Sequence, residues 1–222
     1  MPVNKEKYNE IKTELTQKNV NLVAVSKLQS VQDIEEMYAL GQRDFGENYV
    51  QELIDKHEKL PKDIRWHFIG HLQRNKVKYL APFIHLVQGV DSFNLLKEIN
   101  KEAHKAGTKI DCLLQVHIAE EETKFGLNEV ELDEIIKTAI ERPALLSHVN
   151  ITGLMGMASF INDVRKVKTE MNKLKSLFEK YKSMLPLSTL SMGMSGDYQI
   201  AMECGSNMVR IGSLLFGARS PR

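Results

Sequence analysis

A chain of 222 residues with 42% hydrophobic content can bury one sizeable core, and no Pro/Gly/Ser-rich linker divides it, so residues 1–222 are expected to form a single domain. Thirty basic residues against twenty-nine acidic ones leave a formal charge of +1, without a basic run or a basic stripe interleaved with aromatics, which excludes nucleic acid as a principal partner. The opening MPVNKEKYNE lacks the apolar segment of a secretory signal, no stretch is long and apolar enough to span a bilayer, and Cys112 and Cys204 fit no metal-type spacing, so a soluble cytoplasmic protein is expected.

Residues 4–18 read as a polar amphipathic helix. The run NLVAVS (21–26) is short, apolar and β-branched, as a strand buried on both faces should be. Ser30 then opens the helix VQDIEEMYAL, which Gly41 stops. The rhythm continues with DFG (44–46) and the helix ENYVQELIDKHEKL, then IRWHFIG (64–70) and the helix QRNKVKYLAPF. IHLVQGV (84–90) precedes a helix over 92–107, and KIDCLLQVHI (109–118) precedes a polar loop and a helix over 130–142. VNITGLMGM (149–157) is followed by a long helix from about Asp163 to Met184. TLSMGM (189–194) and MVRIG (208–212) supply the last two strands, with DYQIAMECG between them.

Eight strand candidates alternating with helices, at a length near the lower end of the roughly 200 to 250 residues usual for such folds, predict an α/β single (β/α)8 TIM barrel. An open doubly wound sheet is the competitor. It is disfavoured by the count of eight and by the lack of G-x-G-x-x-G after the first strand.

In such barrels the functional site lies at the C-terminal ends of the strands. Lys27, Asn48, His67 with Gly70, Asp91, His117, Ser195, and Gly212 with Ser213 all fall there. The loops after the last two strands, SMGMSGD and RIGSLLFG, have the glycines and hydroxyls of a phosphate cradle, although two ordinary glycine turns would read the same way. Strand period two sets Met208, Arg210 and Gly212 on one face and Val209 and Ile211 on the other, so Arg210 should point into the barrel. A guanidinium buried there either meets a carboxylate or faces a ligand. Lys27, alone, is either a solvated loop residue or an amine that desolvation keeps neutral enough to attack an aldehyde. An aldehyde bearing a phosphate would span Lys27 and the cradle. His67 and His71, four apart and without a carboxylate or thiolate cluster, read as satisfied or surface histidines rather than metal ligands.

The segments VAVSK (23–27), FGENYVQE (45–52), WHFIGHLQRNK (66–76), KFG (124–126), GLMGM (153–157), LSMGMSGD (190–197) and GSNMVRIGSLLFGAR (205–219) together resemble the YggS/PROSC family of pyridoxal phosphate homeostasis proteins, nearly end to end. The resemblance implies an alanine racemase N-terminal domain-like barrel of fold type III. It implies pyridoxal 5′-phosphate (PLP) held covalently on Lys27 as an internal aldimine. It also implies a phosphate on Ser195, Gly212 and Ser213, Arg210 facing the pyridine nitrogen, and Asn48 near the ring. Relatives often have threonine at Ser213, and proline at His71 and Ser159. Asp91, His117, Lys124 and Met157 are expected to line the rim without assignable roles.

Arginine cannot supply the proton that makes the pyridine ring a strong electron sink, and with Arg222 directly after the barrel no second domain is expected to contribute an opposite-face base. The expectation is a non-catalytic, monomeric protein that buffers or delivers PLP in vitamin B6 homeostasis, with PLP-dependent apo-enzymes as recipients. An amino-acid racemase or related PLP enzyme is the alternative. A barrel isomerase of phosphorylated sugars is the reading outside that class, and it leaves Lys27 without a role.

Overall fold

Eight parallel strands pair in strict chain order, β1 to β8, and the eighth closes back on the first. This is the expected closed barrel rather than an open sheet. The computed structural model describes residues 3–119 and 125–217.

The chain opens with α1 (Lys5–Gln17), capped by the Asn4 side chain, then β1 (Asn21–Val25), α2 (Val31–Ala39), β2 (Asp44–Glu47), α3 (Val50–Lys59) and β3 (Arg65–Phe68). Ser30 caps α2 through a reciprocal capping box with Asp33, and Gly41 leaves the helix in a left-handed conformation. The third connection departs from the expected helix over 73–83. It is a 3-10 turn (Arg74–Lys76) followed by a single α-turn, α4 (Val77–Leu80). Neither piece has a side-chain cap, and Pro82 cannot continue the helical hydrogen bonding.

β4 (Leu86–Val90), α5 (Phe93–Lys105), β5 (Ile110–Gln115), α6 (Glu129–Glu141), β6 (Val149–Met155) and α7 (Val164–Lys182) follow. The last unit is β7 (Thr189–Ser191), α8 (Tyr198–Glu203), β8 (Met208–Ile211) and α9 (Ser213–Phe216). α8 was not expected from the sequence; at six residues it is too short for a helical period to show. β7 stops three residues before the expected end, where Gly193 turns the chain at φ +98°.

The two sides of the barrel wall bury different residues. Outward-facing Leu22, Ala24, Phe45, Leu154, Val209 and Ile211 join the large core under the helices. Inside, Val23, Leu86, Leu113, Met155 and Met208 form a separate small cluster. The interior also holds buried polar side chains at His67, Gln88, Ser191 and Arg210, so the barrel is a packed core with a polar file through it.

Candidate functional site

The β1/β8 seam assembles the site. In register, Val23 stands opposite Arg210 and Ala24 opposite Ile211. The inward row of β1 is therefore Val23, Val25 and, one step past the strand, Lys27; that of β8 is Met208, Arg210 and Gly212. A Cβ on Gly212 would come within 3.2 Å of the Val25 carbonyl oxygen and 3.3 Å of its Cβ. Val25, two residues before Lys27, thus packs against the first residue of the loop that follows β8.

The backbone carrying Lys27 is held on both sides. Ser26 is buried, continues the ladder by donating its N–H to the Gly46 carbonyl, and donates its hydroxyl to Glu47 Oε1 at 2.6 Å. Lys56 Nζ donates to the Ser26 carbonyl at 2.7 Å and to the carboxylates of Glu47 and Glu52. Burial pushes the Glu47 carboxyl pKa up, against the pull of Lys56. On the other side Leu28 sits at φ +63°, with its N–H given to Glu52 Oε1 at 2.6 Å. A branched residue in that conformation stores about 1 kcal/mol or more of strain, which surrounding contacts must maintain. No sequence signal marks it.

Arg210 points inward, as strand period two requires, and is 4% exposed. Nη1 donates to Ser191 Oγ at 2.6 Å and Nη2 to the Gly156 carbonyl at 3.0 Å. No carboxylate among the described residues forms an ion pair with it, so of the two sequence alternatives the structural salt bridge is not realised. Burial lowers its pKa to about 10, partly opposed by Asp197, and it remains a cation at neutral pH.

The loops after β7 and β8 meet above it. Ser195 Oγ accepts the Gly212 N–H at 3.2 Å, Arg210 N–H donates to the Gly193 carbonyl, and Ser213 opens the short α9 immediately after Gly212. Ser195 and Gly212 are thus brought together, with Ser213 adjoining. Asn48 follows β2 on the inward row of Gly46; its Oδ1 is buried and has no hydrogen-bond partner among the described residues. Gly70 lies so close that a Cβ there would stand 2.7 Å from the Asn48 carbonyl oxygen.

The rim residues fall out separately. His71 Nδ1 and Asp91 Oδ2 are 2.7 Å apart, and the His71 ring stacks on Phe125 at 5.0 Å. Met157 packs on the interior cluster. His117 donates its backbone N–H to Leu127 beyond β5. Lys124 lies outside the described residues. His67 is a satisfied interior residue, between Asp44 and Gln88. Sequence reading passed over Ser191, the oxygen that fixes Arg210, because a lone serine in a strand has no pattern of its own.

This geometry defines a class: a (β/α)8 barrel whose mouth sets a lysine-bearing strand beside two joined glycine- and serine-containing loops and a buried guanidinium that forms no ion pair among the described residues. The family model for the alanine racemase N-terminal domain matches residues 4–220. The pyridoxal phosphate homeostasis protein of Aquifex aeolicus is 40% identical over 203 residues, covering 89% of this chain and 86% of that one. Its counterpart from Pasteurella multocida is 37% identical over 206 residues, covering 90% and 87%. The solved structure of PipY from Synechococcus elongatus PCC7942 with PLP bound aligns with TM-score 0.86 at 31% identity, over 96% of this chain and 99% of that one. Alanine racemase from Bartonella henselae, at 18% identity and TM-score 0.72, shares the fold, and this chain spans 62% of its length. The chain belongs to the pyridoxal phosphate homeostasis protein family, on the alanine racemase N-terminal barrel.

Proposed function

We propose that the chain, as a single barrel domain, binds PLP at the barrel mouth and serves to hold and deliver it. Lys27 carries the cofactor covalently as a Schiff base. Ser195, Gly212 and Ser213 take the phosphate, Arg210 faces the pyridine nitrogen and Asn48 meets the ring. The residues present fit such a group. Asn48 Oδ1 is a buried acceptor awaiting a donor, and the bare Cα of Gly212 leaves space that a Cβ would contest with Val25. When bound, PLP supplies an electrophilic carbonyl and a conjugated ring. Lys27 would be the residue that holds it covalently, through an amine kept neutral enough to act as a nucleophile.

Arg210 carries the choice between carrier and enzyme. A ring nitrogen facing a guanidinium receives no proton from it, so the ring stays a weak electron sink. No ion-paired carboxylate among the described residues stands at Arg210 to alter this. We read the protein as a monomeric cytoplasmic PLP reservoir in vitamin B6 homeostasis, with PLP-dependent apo-enzymes as recipients. No helix among the described residues is long and apolar enough to cross a membrane. Two measurements test the reading. Equilibrium dialysis should show one PLP per chain with a visible absorption band. Deuterium exchange at Cα of L-amino acids should stay far below about 1 per second, the lower end of ordinary enzyme turnover. Exchange at ordinary enzyme rates would establish a racemase-type activity instead.

A further inference from the structure

The mouth uses only the upper end of the polar file inside the barrel. Arg210 Nη1 donates to Ser191 Oγ at 2.6 Å, Ser191 Oγ donates to Gln88 Oε1 at 2.7 Å, and Gln88 Nε2 lies 3.0 Å from His67 Nδ1. His67 Nε2 is 3.1 Å from Asp44 Oδ1. Asp44 is the first residue of β2, so the file runs from the mouth to the opposite end of the barrel. Ser191, Gln88 and His67 are at most 1% exposed, and buried polar groups of this kind must find their partners within the barrel interior, where Gln88 Nε2 also reaches Met208 Sδ at 3.3 Å.

The donor sense is set at both ends. A guanidinium only donates and a carboxylate only accepts. Ser191 accepts from Arg210 and so gives its own proton to Gln88 Oε1. That leaves the Gln88 amide nitrogen facing His67, whose Nδ1 must then carry a lone pair. The proton sits on His67 Nε2 and is donated to Asp44. Asp44 is held in turn by Arg65, at 2.7 Å from Nε and 2.5 Å from Nη2. His85 stacks edge-on against the His67 ring at 5.4 Å.

We infer that His67 is a positioning residue for the cofactor-facing guanidinium, acting through Gln88 and Ser191 from the far end of the barrel. The consequence for the cofactor rests on the PLP reading above. Should His67 Nδ1 become a donor, the Gln88 amide must turn over and present its nitrogen to Ser191. Ser191 would then accept from both neighbours, and the seat of Arg210 Nη1 would be rebuilt. Arg210 is thereby coupled to a histidine three links away that touches no ligand.

Two experiments on the full chain decide this. Nitrogen NMR of the histidine rings, with no cofactor added, should show His67 neutral with its proton on Nε2; an Nδ1–H tautomer or an imidazolium at neutral pH overturns the inference. With PLP added, Ser191→Ala and Gln88→Met should each weaken binding about tenfold, the scale of one charge-assisted hydrogen bond, and shift the visible band and its pH midpoint. The double variant should lose little more than either single one, because one file is broken in each. Ser191→Thr, which keeps the hydroxyl, should restore both readouts. Wild-type protein that loads while the variants keep its affinity and spectrum overturns the inference. Wild-type protein that takes up no PLP overturns the cofactor reading instead, and the tautomer then decides the file by itself.

Discussion

Ser195 Oγ accepts the Gly212 N–H at 3.2 Å, and this contact ties the loop after β7 to the loop after β8. If the pair forms one wall of a phosphate seat, its loss should be read by the phosphate alone. Ser195→Ala should weaken PLP binding by up to about tenfold and leave the affinity for pyridoxal, which lacks the phosphate, unchanged. Gly212→Ala should be more severe, since its Cβ meets the Val25 backbone. Equal losses for PLP and pyridoxal in Ser195→Ala would place the phosphate elsewhere.

Lys56 lies in the foundation of Lys27, donating to the carbonyl of the preceding residue. Lys56→Met leaves Glu47, fully buried, without its cation and should cost about 3 kcal/mol in urea unfolding at neutral pH. The sign with pH is definite. A carboxyl whose folded pKa is raised is penalised when ionised, and removing Lys56 raises it further. The deficit of the variant should therefore grow as pH rises through the raised folded pKa of Glu47, which lies above the unfolded value of about 4.3, and be smallest below it. A deficit independent of pH would mean that Lys56 acts by packing alone.

Ser159 donates both its N–H and its hydroxyl to the buried carboxylate of Glu170 on α7, at 2.6 and 2.7 Å. Ser159→Ala removes one of the two bonds and should cost about 1 to 2 kcal/mol. Ser159→Pro removes both and should cost more, about 3 kcal/mol, because the carboxylate stays buried. Denaturant midpoints at constant m-value check the order, and a proline variant as stable as wild type would refute it.

The barrel was largely legible in the sequence, for physical reasons. A parallel strand buried on both faces writes itself as a short β-branched run, and NLVAV and MVRI became β1 and β8. Period two alone turned Arg210 inward. Contacts that depend on closure were not legible. Gln88 and Ser191 lie 103 positions apart and meet only across the barrel interior. Each looks in sequence like an isolated polar residue in an apolar strand. The left-handed Leu28 carries no glycine or asparagine to announce it. The His71–Asp91 pair joins the ends of β3 and β4, so neither residue signals the other in sequence.

The central claim is a covalent seat for PLP on Lys27, and reduction followed by peptide mass analysis tests it most directly. Protein equilibrated with PLP and treated with borohydride should lose its visible band. The reduced cofactor mass should be carried on the peptide containing Lys27, and Lys27→Ala should carry none. A label on another lysine, or a loaded wild-type protein that yields no labelled peptide, would contradict the account.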